Sequence, residues 1–393
     1  MVGSAVVLHP GHTDVISPKR CLGPSQSRVL TVLEILGVCL PTMTKTRRRL
    51  LLMGGFCALL ATGVAAWVTF GRTNPPAPLP NPNGYDDLLR AGRAVTGKVD
   101  DINGLDHDGL RALVTTNADA LRLLRVGLTH HCAVPTEAQI ASFANISGDL
   151  IGLKSLAKVL LAEGRLAETE NRPADAARSY VDAIRLGTEM SRGGLMMNRL
   201  VGIACEGLGG AALVNLVPKL TCDQMRPVVA ELDQIDGSTV TWREVLGNEN
   251  RFVRAQMGNY PNPIRLGSDL WQARSMRKAS EERHDLAAAH LRLLTVELAL
   301  RCFRCDQGTS PGNLPKLLPK YLQRLPPDPF SGNPLVYRLA GTNWLLYSLG
   351  PDRVDDGGKP VGRIISGDYL IGFGNSKSGK GQNKGDLLYD SPW

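Results

Sequence analysis

Residues 160–188 read LLAEGRLAETENRPADAARSYVDAIRLGT, and the way this stretch folds decides the rest. Gly164 lets two helices approach closely, Arg172-Pro173 forces a turn, and Ala176, Tyr180 and Ala183 set small, large and small side chains along one face of the second helix. The stretch predicts a helical hairpin. Upstream, Leu110, Leu113, Leu121, Leu124 and Leu128 recur at three- and four-residue steps between Leu105 and Leu128. Ile151, Leu156, Val159 and Leu160 continue the pattern from Ile140 to Leu161. Asp106 and Pro135-Thr136 are the expected helix starts, the second with Gln139 placed for a capping box. Downstream, Leu195 to Leu216 is apolar but holds Glu206 together with Gly202, Gly207, Gly209 and Gly210, which predicts a buried core helix rather than a membrane span.

The hairpin resembles one tetratricopeptide repeat, with Gly164, Ala176, Tyr180 and Ala183 at its packing positions. Shifting by one repeat length forward brings Gly210, Val214 and Val217 to the second-helix positions, and shifting back brings Ser142, Ile146 and Asp149, so no array is visible. Two readings stand: a plain hairpin within a bundle, and a peptide-binding repeat surface.

Composition agrees with helices. Of 393 residues 43% are hydrophobic but only 5% aromatic, so a large core would be built from Leu, Ala and Val. The net charge of +8 is misleading, because seven basic and two acidic residues before Leu50 account for +5 of it. The +3 left for everything after is too diffuse to argue for nucleic acid. The basic run ends in Arg47-Arg48-Arg49, and the uncharged run 50–70 follows at once. About 20 apolar residues in a helix span the hydrocarbon core, so 50–70 is expected to be a transmembrane anchor. Lys and Arg stay cytoplasmic, which puts segment 1–49 in the cytoplasm and the rest beyond the cytoplasmic membrane. Gly63-Val64-Ala65 and Val64-Ala65-Ala66 also fit a signal-peptidase site, and Met43 would serve as a start that leaves 1–42 as an upstream extension. Five prolines between Arg72 and Asn83 predict an extended spacer over 71–84.

A helical domain is expected over 85–260, ending in a loop around Pro261 and Pro263, and a different module over 268–393. That module opens with a helix from Glu281 to Arg304. After Leu325-Pro326-Pro327-Asp328-Pro329-Phe330 and the turn Ser331-Gly332-Asn333-Pro334, runs at Leu335–Leu339 and Asn343–Ser348 read as strands joined by Gly341-Thr342. The fold class is thus mainly α, a bundle with one tetratricopeptide-like hairpin, plus a small C-terminal antiparallel β module and one N-terminal transmembrane helix.

Asp328-Pro329-Phe330, Gly332-Asn333-Pro334, Tyr337, the run Leu346-Tyr347-Ser348-Leu349-Gly350-Pro351-Asp352, Gly357-Gly358 and the ending Gly385-Asp386-Leu387 with Trp393 together resemble the soluble domain of the major pseudopilin of type II secretion. The resemblance covers the last quarter of the chain. The layout of anchor, helical middle and tail resembles uncharacterised membrane-anchored proteins of planctomycete bacteria. A pilin subunit needs a Gly-Phe processing site with Glu at the fifth mature position and an anchor continuous with its globular helix. Here Gly55-Phe56 has Leu60 at that position, and more than two hundred residues separate anchor from tail helix. The chain is therefore not expected to polymerise as a pilin.

The same resemblance implies a calcium loop, with Asp352 and the carbonyl of Leu349 as carried-over ligands and Asp355, Asp356 and Asp386 as further ones. A solvated acidic turn is the competing reading, since Lys359, Arg363, Lys377, Lys380 and Lys384 surround the loop. Cys302-x-x-Cys305 has redox or zinc spacing but no second pair, so a disulfide or plain burial is expected. Cys132, Cys205 and Cys222 make five thiols after the anchor, leaving at least one unpaired or joined to another chain. His130-His131-Cys132 could start a metal site, but adjacent residues on a helix diverge, so a structural role is the competing expectation.

No nucleophile elbow, phosphate loop or His-Glu-x-x-His occurs. Two classes of function remain. One is a non-enzymatic envelope scaffold that binds protein partners through the helical domain, a secretion-system accessory among its variants. The other is an envelope enzyme whose site is assembled on the helices, for example from Glu163, Glu168 and Glu206.

Overall fold

Gly164 and the ring of Tyr180 touch where two helices cross: a methyl group on Gly164 would lie inside that ring. The computed structural model describes residues 53–55, 78–97, 99, 101–136, 143–257, 263–341, 343–359 and 386–388. Of the anchor expected at 50–70, only the helical turn 53–55 is among them; the rest, with segment 1–49 and linker residues 71–77, lies outside the described residues.

The hairpin forms as the sequence predicts, α4 running Phe143–Thr169 and α5 Pro173–Glu189, with Pro173 opening the second helix where its missing N–H costs nothing. Ala176, Tyr180 and Ala183 are fully buried. Before it come α1 (Gly84–Ala94), α2 (His107–Thr116) and α3 (Ala118–Thr129). Asp106 caps α2 by accepting from the Gly109 N–H at 2.8 Å. The single helix expected through Leu105–Leu128 is in fact two. Asn117 marks the break, its side chain bonding the Thr96 and Leu113 carbonyls at 3.1 and 2.9 Å beside its own backbone bond to Leu113.

After the hairpin, α6 (Met196–Leu216) is the one helix among the described residues long and apolar enough to cross a membrane, the stretch Met196–Lys219. It is a core helix here. Gly187 and Gly202 bring α5 and α6 into backbone contact, and a methyl on Gly209 would strike the Tyr180 carbonyl. Next come α7 (Cys222–Ser238), capped by Thr221 and Gln224 in a reciprocal box, and α8 (Trp242–Met257).

The helix expected from Glu281 begins instead at Pro263, so the expected loop shrinks and α9 runs Pro263–Gln307 without a break. A proline at the first helical position starts a helix as readily as it ends one, which the loop reading overlooked. The C-terminal half of α9 packs on α6 and α7, and one apolar cluster runs from Tyr85 through Leu294 and Leu298 to Leu387. The sheet is antiparallel in the order β1-β2-β3. β1 (Val336–Ala340) and β2 (Asn343–Ser348) pair from Val336↔Tyr347 to Ala340↔Asn343. Gly341 takes φ 63° in the tight turn, as such hairpins require. β3 (Leu387–Leu388) joins β2 at Tyr347 and Ser348.

Candidate functional site

Three acids were candidates for a site on the helices, and each has its own partners. Glu163 accepts from Arg125 at 2.5 Å and from the Ser179 hydroxyl at 2.7 Å. Glu168 accepts from the Tyr180 hydroxyl at 2.6 Å and Lys219 at 2.8 Å. Glu206 lies inside the core, held by both terminal nitrogens of Arg199 at 2.5 and 3.1 Å and by the Thr188 hydroxyl at 3.1 Å. Arg199 is 1% exposed, and its Nε donates to His284 Nδ1 at 3.0 Å. Burial and the neighbouring Arg199 and Arg292 charges push His284 down to about 3, so its ring is the neutral acceptor this bond needs. This network is sealed from solvent and organises the core rather than a cleft.

The thiol and histidine motifs resolve likewise. His130 Nδ1 faces Asp87 at 3.3 Å, while Cys132 is buried against the Gly127 carbonyl and pushed up to about 12 by burial. Cys305 is joined by a disulfide to Cys222 and not to Cys302, because α7 lies against α9 there; Cys132, Cys205 and Cys302 are buried free thiols. Among the described residues no group of three or more His, Cys, Asp or Glu side chains could hold a metal ion.

In the acidic loop, Asp355 is taken up by the Tyr347 hydroxyl at 2.7 Å, Arg338 at 2.7 Å and the Gly357 N–H at 2.9 Å. Asp352 only closes its own turn, accepting from the Val354 N–H at 3.3 Å. Leu349 donates its N–H to Asp328 at 3.0 Å. Asp386 is the exception. Fully buried at the end of β2, it accepts from the Gly358 N–H at 2.6 Å through Oδ2, while Oδ1 has no hydrogen-bond partner. Burial raises its carboxyl, and the nearby Asp355 and Asp356 charges add to the rise. Asp386 thus lies within reach of the Asp355 and Asp356 charges, while the backbone N–H groups of Gly358 and Asp356 act the other way on its carboxyl.

A concavity among the described residues lies elsewhere, between α9 and β2. A cleft of about 280 Å³ is lined by Glu297, Arg301, Arg304, Asn343, Trp344 and Leu388, with Leu345 and Leu346 completing it. Glu297, 3% exposed, anchors its floor: one oxygen accepts from Trp344 Nε1 at 2.7 Å, the other from Arg301 Nε at 2.8 Å. The Arg304 guanidinium lies 4.6 Å from the centre of the Trp344 ring. Among the described residues two arginines and one carboxylate line the cleft. Among the described residues β3 pairs with Tyr347 and Ser348 alone, so the first half of β2 borders this space. Sequence reading missed the site because Glu297 and Arg301 look like an ordinary i,i+4 helix pair, and only the fold brings Trp344 to them.

Compared with known proteins, the chain matches no family model, no curated protein and no solved structure at a significant level.

Proposed function

We propose that this chain is a single-pass, membrane-anchored envelope protein whose helical body and sheet module stand outside the cytoplasm and bind a protein partner. The cleft between α9 and β2 carries this reading. An aromatic ring beside a guanidinium group suits an acidic peptide segment, its carboxylates meeting Arg304 and its apolar side chains the Trp344 ring. Calorimetry on the detergent-solubilised chain with extended acidic peptides should show binding that weakens with salt and is lost in Arg304→Ala and Trp344→Ala. Equal affinity for basic and acidic peptides would end the proposal.

The anchor rests on the arginine triplet and the uncharged run 50–70, and the Cys222–Cys305 disulfide supports an oxidising side for the body. A reporter fused at Trp393 and active only in the cytosol would contradict that topology. The tail loop has a second reading as a calcium loop, drawn from the pseudopilin resemblance with Asp352, the Leu349 carbonyl, Asp355, Asp356 and Asp386 as ligands, although the described acid side chains do not converge on one point. Calcium titration of the whole chain should release heat that Asp386→Asn abolishes; no heat at millimolar ion would leave a plain turn. A role beside a secretion system draws its support from the order helix, Leu-Pro link, antiparallel sheet, and an enzymatic role would have to use Glu206 with Arg199 and His284.

A further inference from the structure

Three cysteines meet where the start of α7 crosses the end of α9. Cys222, the first residue of α7, is bonded to Cys305, whose residue is exposed, and Cys302 sits one helical turn before Cys305 as a free thiol 1% exposed. Positions three apart on a helix share a face with their Cβ atoms about 5–6 Å apart. A disulfide needs about 3.8 Å, and Cys305 stands only two residues from the end of α9 at Gln307, so the adjustment falls on a terminal turn. The same spot carries Arg226, one turn beyond Cys222; it pairs with Asp306 at 2.5 Å, and its charge reaches Cys302.

We propose that Cys222, Cys302 and Cys305 form a thiol–disulfide exchange site that interconverts two disulfides without an outside oxidant or reductant. Cys302 loses its proton to solvent, and the thiolate attacks Cys305 Sγ. The Cys222–Cys305 bond breaks, its electron pair leaves on Cys222 Sγ, and that thiolate takes up a proton. One disulfide is consumed and one formed, so nothing is oxidised or reduced overall. Cys222 is the better leaving group because the positive end of α7 stabilises its thiolate. Burial holds the Cys302 thiol up, with Arg226 acting the other way, which keeps the exchange slow in the resting fold. The exchanged form carries a Cys302–Cys305 disulfide and presents Cys222 as a reactive thiol, while the Arg226–Asp306 pair still holds α7 to α9.

The test is a time course of alkylation on the folded, full-length oxidised chain in detergent, quenched in acid and mapped by mass spectrometry of the digests. Label accumulating on Cys222 together with a Cys302–Cys305 disulfide is expected, and Cys302→Ser should abolish Cys222 labelling. Label on Cys302 alone, with Cys222–Cys305 intact, would overturn the proposal. Cys222→Ser provides a second reading that does not depend on rates: with oxidised glutathione added as a small disulfide oxidant, which is reduced to two thiols as the bond forms, it should hold a Cys302–Cys305 disulfide, and two thiols left unjoined to each other would overturn the proposal equally.

Discussion

The helical body and the sheet module are held together by opposite means. In the body, glycines remove side chains so that backbones meet: Gly187 against Gly202, Gly209 against the Tyr180 carbonyl, Gly164 under the Tyr180 ring. In the module, buried carboxylates gather backbone and side-chain donors. Asp328, 1% exposed, accepts from the N–H groups of Phe330 and Leu349, both at 3.0 Å, and from the hydroxyls of Ser348 and Ser331 at 2.9 and 3.2 Å. Asp236 then ties α7 to α9 and to the Leu-Pro link through Arg292 at 2.7 Å and Arg324 at 2.8 Å. Close packing tolerates almost no added volume, whereas a carboxylate hub tolerates volume but not loss of its charge.

The contrast is sharpest at Gly187. Any side chain there meets the backbone of Gly202, which cannot swing aside, so Gly187→Val should cost about 4 kcal/mol or prevent folding altogether. Urea unfolding of the whole chain would measure it; a loss under about 1 kcal/mol would mean that α5 and α6 can part cheaply. The Cys222–Cys305 bond crosses the boundary between the two regimes. Its separation of 83 residues predicts a chain-entropy contribution of about 4.5 kcal/mol, removed in the Cys222→Ser, Cys305→Ser double variant. Asp328→Ala strips four donors of their acceptor and should cost about 3 kcal/mol, with Asp328→Asn recovering only part. If the alanine variant unfolded no more readily than wild type, the carboxylate hub would not be what holds the strands to the link.

How far each regime can be read in the sequence differs for the same reason. Helical packing repeats with the helix period, so Gly164, Ala176, Tyr180 and Ala183 announce their contact before any coordinates exist. The β1–β2 turn at Gly341 is legible too, since a turn this tight needs a positive φ. The hubs have no period. Asp328 stood in the sequence as part of a motif, but its partners lie up to 21 residues away, and Asp386 reaches the loop across 28. Glu206 was named as an acid on the helices; Arg199 stands seven residues before it on the same helix, whereas His284, which holds Arg199 in turn, comes from α9, and only the fold lays α9 against α6.

That last network allows the finest test of the contrast, because it puts a titrating hub inside the glycine-packed body. The fold holds His284 at about 3 and His290 at about 4, both lowered by burial, against an ordinary value near 6.5 in the unfolded chain. Below about pH 6.5 the unfolded state therefore binds protons that the folded state refuses. Stability is complete above that pH and falls as the pH drops toward 4. Asp285 works the other way: raised to about 6 by burial and Glu281, it gains protons in the fold between its ordinary carboxylate range and pH 6. Asp182 and Asp386, also raised by burial, work in the same direction as Asp285, so the histidine contribution is read from a variant rather than from the total. His284→Asn keeps an acceptor for Arg199 Nε but cannot titrate, so the slope of stability with pH between about 4 and 6 should shrink by about 1.4 kcal/mol per unit. Parallel slopes for variant and wild type would show that His284 takes up its proton without leaving the fold, and that the sealed network around Glu206 opens to water more readily than its glycine-packed surroundings suggest.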